Sequence, residues 1–394
     1  MFQLFKKPPK KTSKKSSRMS PIVMANNAGR PVWTPRRYDA LAEEGYHKNV
    51  IVYRCVNVIA RAIASVPWLL YERKDDGSDH EVYHHPLLDL LTQPSSTQAG
   101  SAFVENVVSY LLLSGNAYIE AVMNSVDQPV ELYSLRPDRM AVVPGAGGEI
   151  EAYEYRVGGQ TKRVNVMLSV PSPILHLKLF HPLNDYYGLS PLEAAASSID
   201  QHNEVGGHNL SLLQNGGRPT GALMIKEQNL TPDQRESLRD DLHQLYQGGG
   251  NAGKIMILEG DFEWKEMGLS PKDLDFIEGK NVSAREISQA FGVPSILVGI
   301  MGDATYANYK EARLHLWEDT VLPLLEFIAG ELGGWLCQWF GKDLKLGYDT
   351  DAIPALAHKR EAHWEKIVKA SFLTINEKRQ EVGYPPLDGG DRLG

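Results

Sequence analysis

A single helix-start device, used repeatedly, divides the second half of this chain. Ser190-Pro191-Leu192-Glu193 places a capping hydroxyl, a proline at the first helical position where no N–H is needed, and a carboxylate three residues after the cap. Thr231-Pro232-Asp233-Gln234 and Ser270-Pro271-Lys272-Asp273 repeat the arrangement, and Ser283-Ala284-Arg285-Glu286 reads as a further start. The first helix is expected to run towards Asn215-Gly216, the second from 232 to 247, stopping before Gly248. Strand-like runs at 221–225, 254–258 and 262–267 flank the second helix. So punctuated, the chain is expected to hold a small α/β insert, 217–269, between two helices at 191–216 and 270–292.

The first half reads differently. Ile51, Val52, Cys55, Val58, Ile59, Ala62 and Ile63 recur at helical spacing over 49–66, and Pro67 ends that helix. A strand at 68–71 follows, closed by the Asp76-Gly77 turn. A second helix over 101–113 stops at Gly115. Short strands are expected at 117–123, 130–135, 140–143, 153–157, 162–164 (across Gly158-Gly159) and 174–180. Strands that cluster rather than alternate with helices make the class α+β. Beyond Pro294, a Gly/Asp/Tyr/Asn-rich loop at 299–309 leads into a long helix over 310–340, where Pro323 removes a hydrogen bond and should kink it. Residues 361–382 supply a last amphipathic stretch.

Charge is unevenly spread over the 394 residues. Lys6, Lys7, Lys10, Lys11, Lys14, Lys15 and Arg18 make residues 1–20 a basic tail with too little apolar surface to fold alone. Setting those seven aside takes the formal net charge from −8 to −15, an acidic body behind a basic tail. Cys55 and Cys337 have no Cys or His at ligand spacing, so neither a disulfide framework nor zinc is expected. The tail has no apolar core of a secretion signal, and the most apolar stretch, 321–340, is interrupted by Glu326 and Glu331. The expectation is a soluble intracellular protein with no membrane partner.

The candidate chemical motifs do not hold together. Gly248-Gly249-Gly250-Asn251-Ala252-Gly253-Lys254 has the letters of a phosphate-binding loop, but a helix precedes it, a strand follows, and Ile255 stands where Ser or Thr would hold magnesium. It reads better as a connector. His84-His85 and His202/His208 lack carboxylate or thiolate companions at helical ligand spacing, so no metal site is expected. Asp349-Thr350-Asp351 lacks the Gly and terminal Glu of a calcium loop and reads as a strand end capping a turn. No catalytic constellation and no cofactor site is found.

Around Ser190 the chain resembles a known family. "YYGLSPLEAAASSID" with "NGGRPTGALMI", "YRCVNVIARAIASVPWLLY", "LLLSGNAYIEAV" with "LRPDRM", "FGVPSILVG" and "GDATYANYKEARLHLWEDTVLPLLE" are similar, in their order along the chain, to the portal proteins of long-tailed bacteriophages and of phage-like gene transfer agents. The likeness spans about 49–346. It implies a non-enzymatic subunit of a ring of about twelve at one capsid vertex, in a virion or phage-like particle assembled in the bacterial cytoplasm. It also implies the partners: double-stranded DNA passing without sequence preference, the major capsid protein, the terminase large subunit and a head–tail adaptor. The parts would be a wing (21–190), a stem helix (191–216), a clip (217–269), a second stem helix (270–292), a tunnel loop, kinked helix and rest of the wing (293–350), and a small helical crown (351–394).

That role sets the candidate site residues. DNA bears a negative charge per about 1.7 Å, so a channel lined with lysine would hold it where an acidic lining lets it slide. The first stem helix carries Glu193, Asp200 and Glu204, with no Lys or Arg between 191 and 215. In mid-helix, Gly206-Gly207 costs about 1 kcal/mol per glycine against Ala, suggesting a kink or close packing on a neighbour. Gly302, Asp303, Ala304, Thr305, Tyr306 and Asn308 would form the tunnel loop, while Arg235, Glu236, Arg239 and Asp240 would face docking partners from the clip. The basic tail would bind nucleic acid or an acidic partner. The alternatives are a nucleotide-driven motor subunit using Gly248 to Lys254, or another ring-forming head–tail adaptor.

Overall fold

Asn49 begins the packed part of the fold. The computed structural model describes residues 33–393 except 76, 167–170, 215–220, 226–230, 232, 234–235, 237–261, 267–275, 301–305 and 342. After a short helix α1 (Tyr38–Leu41) and a π-type turn, Asn49 caps α2 (Val50–Ala64), its Oδ1 accepting from Ile51 N at 3.0 Å and Val52 N at 3.2 Å. Val52, Cys55, Val56, Ile59 and Ile63 line one face of α2 and are almost wholly buried. Pro67 lets the chain leave into β1 (Trp68–Arg73), which pairs with β2 (Asp79–Glu81) past Gly77 at φ +82°. His85, through Nδ1, caps α3 (Pro86–Thr92).

Helix α4 (Gly100–Ser114) packs on α2 and ends at Gly115, whose φ of +74° suits glycine. A Cβ there would also meet the Gly188 carbonyl oxygen at 2.5 Å, so the chain crosses itself too closely for any side chain. The strands then run as an antiparallel sheet β4-β3-β8 and a meander β5-β6-β7, comprising β3 (Asn116–Met123), β4 (Pro129–Leu135), β5 (Met140–Pro144), β6 (Ile150–Val157), β7 (Gln160–Asn165) and β8 (Ile174–Lys178). Tyr118, Leu135, Met140, Tyr153 and Ile174 form a second apolar cluster where the two sheets meet.

Next come α5 (Pro191–Ala194), α6 (Ala196–Gln214), β9 (Gly221–Ile225), β10 (Phe262–Glu266) and a returning helix (Phe276–Ala290). β9 and β10 pair antiparallel, so two of the three expected insert strands are present. The expected helix 232–247 and strand 254–258 lie largely or wholly outside the described residues.

Three expectations need correction. Ser283 starts no helix: the returning helix runs straight through it, and its hydroxyl donates back to Lys280 O, a bond that serine makes readily in mid-helix. The long helix begins at Tyr306 rather than 310 and bends through a π-type turn (Leu316–Val321) before continuing as Leu322–Phe340. The wide turn lies just ahead of Pro323: Leu322 N bonds to Trp317 O, five residues back, where the ring of Pro323 would crowd an α-turn. Finally, strand β8 ends at Lys178, short of the expected 180, with Leu179 N bonding to Gly115 O as the last rung of its pairing beside β3.

Over 308–340 this is the one helix among the described residues long and apolar enough to cross a membrane, but Leu325, Ile328, Leu332 and Leu336 sit in the central core. β11 (Leu344–Tyr348) returns beneath it to pair with β1, Trp68 opposite Tyr348. Asp349 Oδ1 then accepts from Asp351 N and Ala352 N, the turn expected at the strand end. Two further helices follow, Ala357–Lys369 and Ile375–Glu381; Thr374 and Glu377 close a capping box on the second.

Candidate functional site

Ser190 Oγ accepts from Glu193 N at 2.9 Å, so the helix start read from Ser-Pro-x-Glu is the one observed. Ala195 separates the single turn α5 from α6, and Arg36 Nη1 donates to Glu193 O at 2.9 Å across that joint. From there α6 lies along the returning helix, where Ser198 Oγ donates to Glu286 at 2.7 Å. The returning helix buries Ser283, Ala284, Ile287 and Ser288, one face at helical spacing.

Asn49 ties this pair of helices to the body. Its Oδ1 is spent on the cap of α2, while its amide donates to His202 Nδ1 at 3.1 Å and Asn203 Oδ1 at 2.9 Å. Asn203 passes the link on, donating to Glu44 O at 2.8 Å. One buried side chain thus caps one helix and anchors another, with all four of its hydrogen-bonding sites used. Burial, then the Lys280 charge, holds the His202 pKa below its usual value, which keeps the ring neutral and its Nδ1 free to accept. Nothing in the local pattern marked Asn49 for this second task.

The three acidic positions expected to line a stem fall in different surroundings. The backbone of Glu193 is held at the joint and its side chain is half-buried. The carboxylate of Asp200 accepts from both the N–H and the hydroxyl of Thr34 within the same subunit. Glu204 is exposed, in a stripe with Gln201, His208 and Ser211 at three- and four-residue spacing. Gly206 and Gly207 do not break the helix, and among the described residues a Cβ on either would meet nothing within 4 Å beyond the helix's own backbone and the adjoining residues.

Of the expected tunnel loop, Tyr306 opens the long helix and Asn308 is exposed on it; Gly302, Asp303, Ala304 and Thr305 lie outside the described residues. Glu236 of the expected clip is exposed, while Arg235, Arg239, Asp240, the loop Gly248 to Lys254 and the basic tail lie outside the described residues. Among the described residues no three His, Cys, Asp or Glu side chains come together as metal ligands.

A family model described as phage portal protein matches residues 50–383. The portal protein of Enterobacteria phage HK97 is 25% identical over 348 residues, covering 86% of this chain and 80% of that protein. A chain in the neck of an empty gene transfer agent particle, solved with C6 symmetry, is 44% identical with a TM-score of 0.71, covering 93% of this chain and 98% of that one. A chain in the neck of the native particle, solved with C12 symmetry, gives 44% identity and a TM-score of 0.69 over 92% and 98%.

Proposed function

Because this chain belongs to the phage portal protein family, we propose that it is the repeating subunit of a twelve-membered ring at one vertex of a phage-like capsid, through which DNA is packed and later leaves. The observation that carries this is the near end-to-end likeness to a neck subunit solved with twelvefold symmetry. The portal is a structural part, so its residues position and release DNA rather than transform it. In this reading 21–190 and 293–350 form the wing, 191–216 and 270–292 the stem, 217–269 the clip and 351–394 the crown. Double-stranded DNA, the terminase large subunit, the major capsid protein and a head–tail adaptor are its partners. The motor alternative has no comparable support, since the matching family model and relatives such as the HK97 protein are of portal proteins.

Glu204 is the stem position that best suits a channel. Repeated twelve times, its exposed stripe becomes a belt with carboxylates and neutral polar groups and no lysine or arginine, which repels the phosphate backbone and gives it nothing to grip. Asp200, engaged by Thr34, contributes charge at short range while holding the stem in place.

Native mass and end-on electron micrographs test the ring. Twelve copies of 43.8 kDa give about 526 kDa, with a bore wide enough for duplex DNA; a persistent monomer or dimer would overturn the reading. Glu204→Lys in an assembled particle is expected to slow packaging or retain DNA, most at low salt. Unchanged packaging would remove Glu204 from the channel and leave the ring intact.

A further inference from the structure

Asn49 and His202 meet where α2 and α6 are fastened together, and both are buried, 1% and 8% exposed. The Asn49 amide has a single possible orientation. Its Oδ1 accepts from Ile51 N and Val52 N, and backbone N–H groups can only donate. Its Nδ2 therefore faces His202 Nδ1 at 3.1 Å and Asn203 Oδ1 at 2.9 Å. His202 Nδ1 must then be an acceptor, with the proton of the neutral imidazole on Nε2. A proton added at Nδ1 would set two donors against each other. Asn49 could answer only by inverting its amide, which would turn Nδ2 towards Ile51 N and Val52 N and cost α2 its cap.

The surrounding charges are committed elsewhere. On the returning helix Glu278 pairs with Arg285 and Glu286 accepts from Ser198, while Lys280 acts on His202 as a like charge. In the turn before α2, Glu43 pairs with His47 and Glu44 with Lys48. On α2 itself Arg54 is turned to Leu297 O. Along α6, Asp200 is held by Thr34, Glu204 is exposed, and His208, six positions on, lies on another face. Glu193 belongs to the separate turn α5, nine positions back. Among the described residues, Lys280 is the one charge acting on the His202 imidazole.

We infer that the Asn49–His202 bond is a proton-operated latch: it holds α6 against the start of α2 while His202 is neutral and lets go when His202 takes up a proton. Burial, then Lys280, keeps the imidazole pKa below its ordinary value in the closed form. Where α6 has let go, the imidazole returns to about 6.5. The open form therefore takes up the proton first, and opening grows as pH falls below about 6.5. The other ties of α6, Asn203 to Glu44 O and Thr34 to Asp200, do not involve the imidazole, so the opening is local. The latch lies within one subunit and does not depend on the proposed ring.

Hydrogen exchange on the purified full-length protein between pH 7.5 and 5, corrected for the intrinsic pH dependence of exchange and with the assembly state held constant, tests the latch. Amides of α6 around His202 should open more as pH falls below 6.5, by up to about tenfold per pH unit. The Ile51 and Val52 amides should keep their protection, because the Asn49 oxygen stays on the cap. His202→Asn supplies an acceptor that cannot be protonated and should remove the trend. Asn49→Asp keeps the cap and offers the protonated imidazole an acceptor, so it should reverse the trend, with α6 held more tightly in acid. Equal acid opening in wild type and His202→Asn, exposure of Ile51 and Val52 with α6 still protected, or an unreversed trend in Asn49→Asp would overturn the latch.

Discussion

Helices α2 and α6, linked through the Asn49 side chain, obey opposite rules. In α2, Val52, Cys55, Val56, Ile59 and Ala60 are fully buried within their own chain. In α6, Ala196, Ile199 and His202 are buried near its start, and beyond them Leu210 is 56% exposed and Gly206-Gly207 meet nothing. The last segment resembles α6: Trp364, Val368, Phe372, Tyr384 and Leu393 are all more than 40% exposed. Apolar burial is what a chain gains by folding alone. Where a helix keeps its length but leaves apolar groups and glycines in solvent, its pattern was shaped for surfaces that this subunit does not supply. The body is packed to fold by itself, while α6 and the last segment leave apolar groups uncovered, as the proposed ring would need.

The sharpest test of that contrast is a matched pair of truncations. Leu336→Ala in the core should cost the isolated subunit about 2–5 kcal/mol, read by urea unfolding. Leu210→Ala on the stem should cost under about 0.5 kcal/mol there yet weaken ring formation. Equal losses in subunit stability would erase the distinction.

A pH series should separate the half-buried His176 from the exposed histidines. His176 is stacked on Tyr118 at 4.2 Å and bonded through Nε2 to Asn116 Oδ1, and burial, with a smaller push from Lys178, lowers its pKa to about 3. The unfolded chain takes up a proton below about pH 6.5 and the folded one does not, so stability falls as pH drops from about 6.5 towards 3. The slope contributed by this one group should be about 1 kcal/mol per pH unit. His176→Gln should flatten unfolding midpoints measured between pH 7.5 and 5; an unchanged slope would show that the ring titrates freely in the fold.

The smallest effect, and of opposite sign, belongs to the stem glycines. Gly206→Ala and Gly207→Ala should each raise the stability of the dissociated subunit by up to about 1 kcal/mol, read as a higher thermal midpoint, because nothing in the chain opposes a methyl group there. If they also leave ring formation untouched, the glycines have no role in packing against a neighbour.

Much of the fold was legible because its signals are local. Caps such as Ser190, stops such as Gly115 and the apolar spacing of 49–66 act over a few residues, and the strands β3 to β8 fell within a few positions of their expected places. Ser283 misled, because a serine that back-bonds in mid-helix has the same letters as one that caps. The family resemblance and the cation-free stem were legible too. The site itself was less so. Nothing near Asp200 in sequence announced Thr34, and nothing near Asn49 announced His202.

By itself, the sequence determined where most of the helices and strands of the first half lie, the acidic and cation-free character of residues 191–215, and the family. Tertiary structure alone decided that β1 lies between β2 and β11, that Asp200 is engaged by Thr34 while Glu204 is exposed, and that the Tyr118 hydroxyl is buried without a partner. The reason is one of range. Capping and periodicity are settled by hydrogen bonds and burial within a turn or two, whereas pairing across the chain, and the burial of one polar atom without a partner, depend on everything that packs around them.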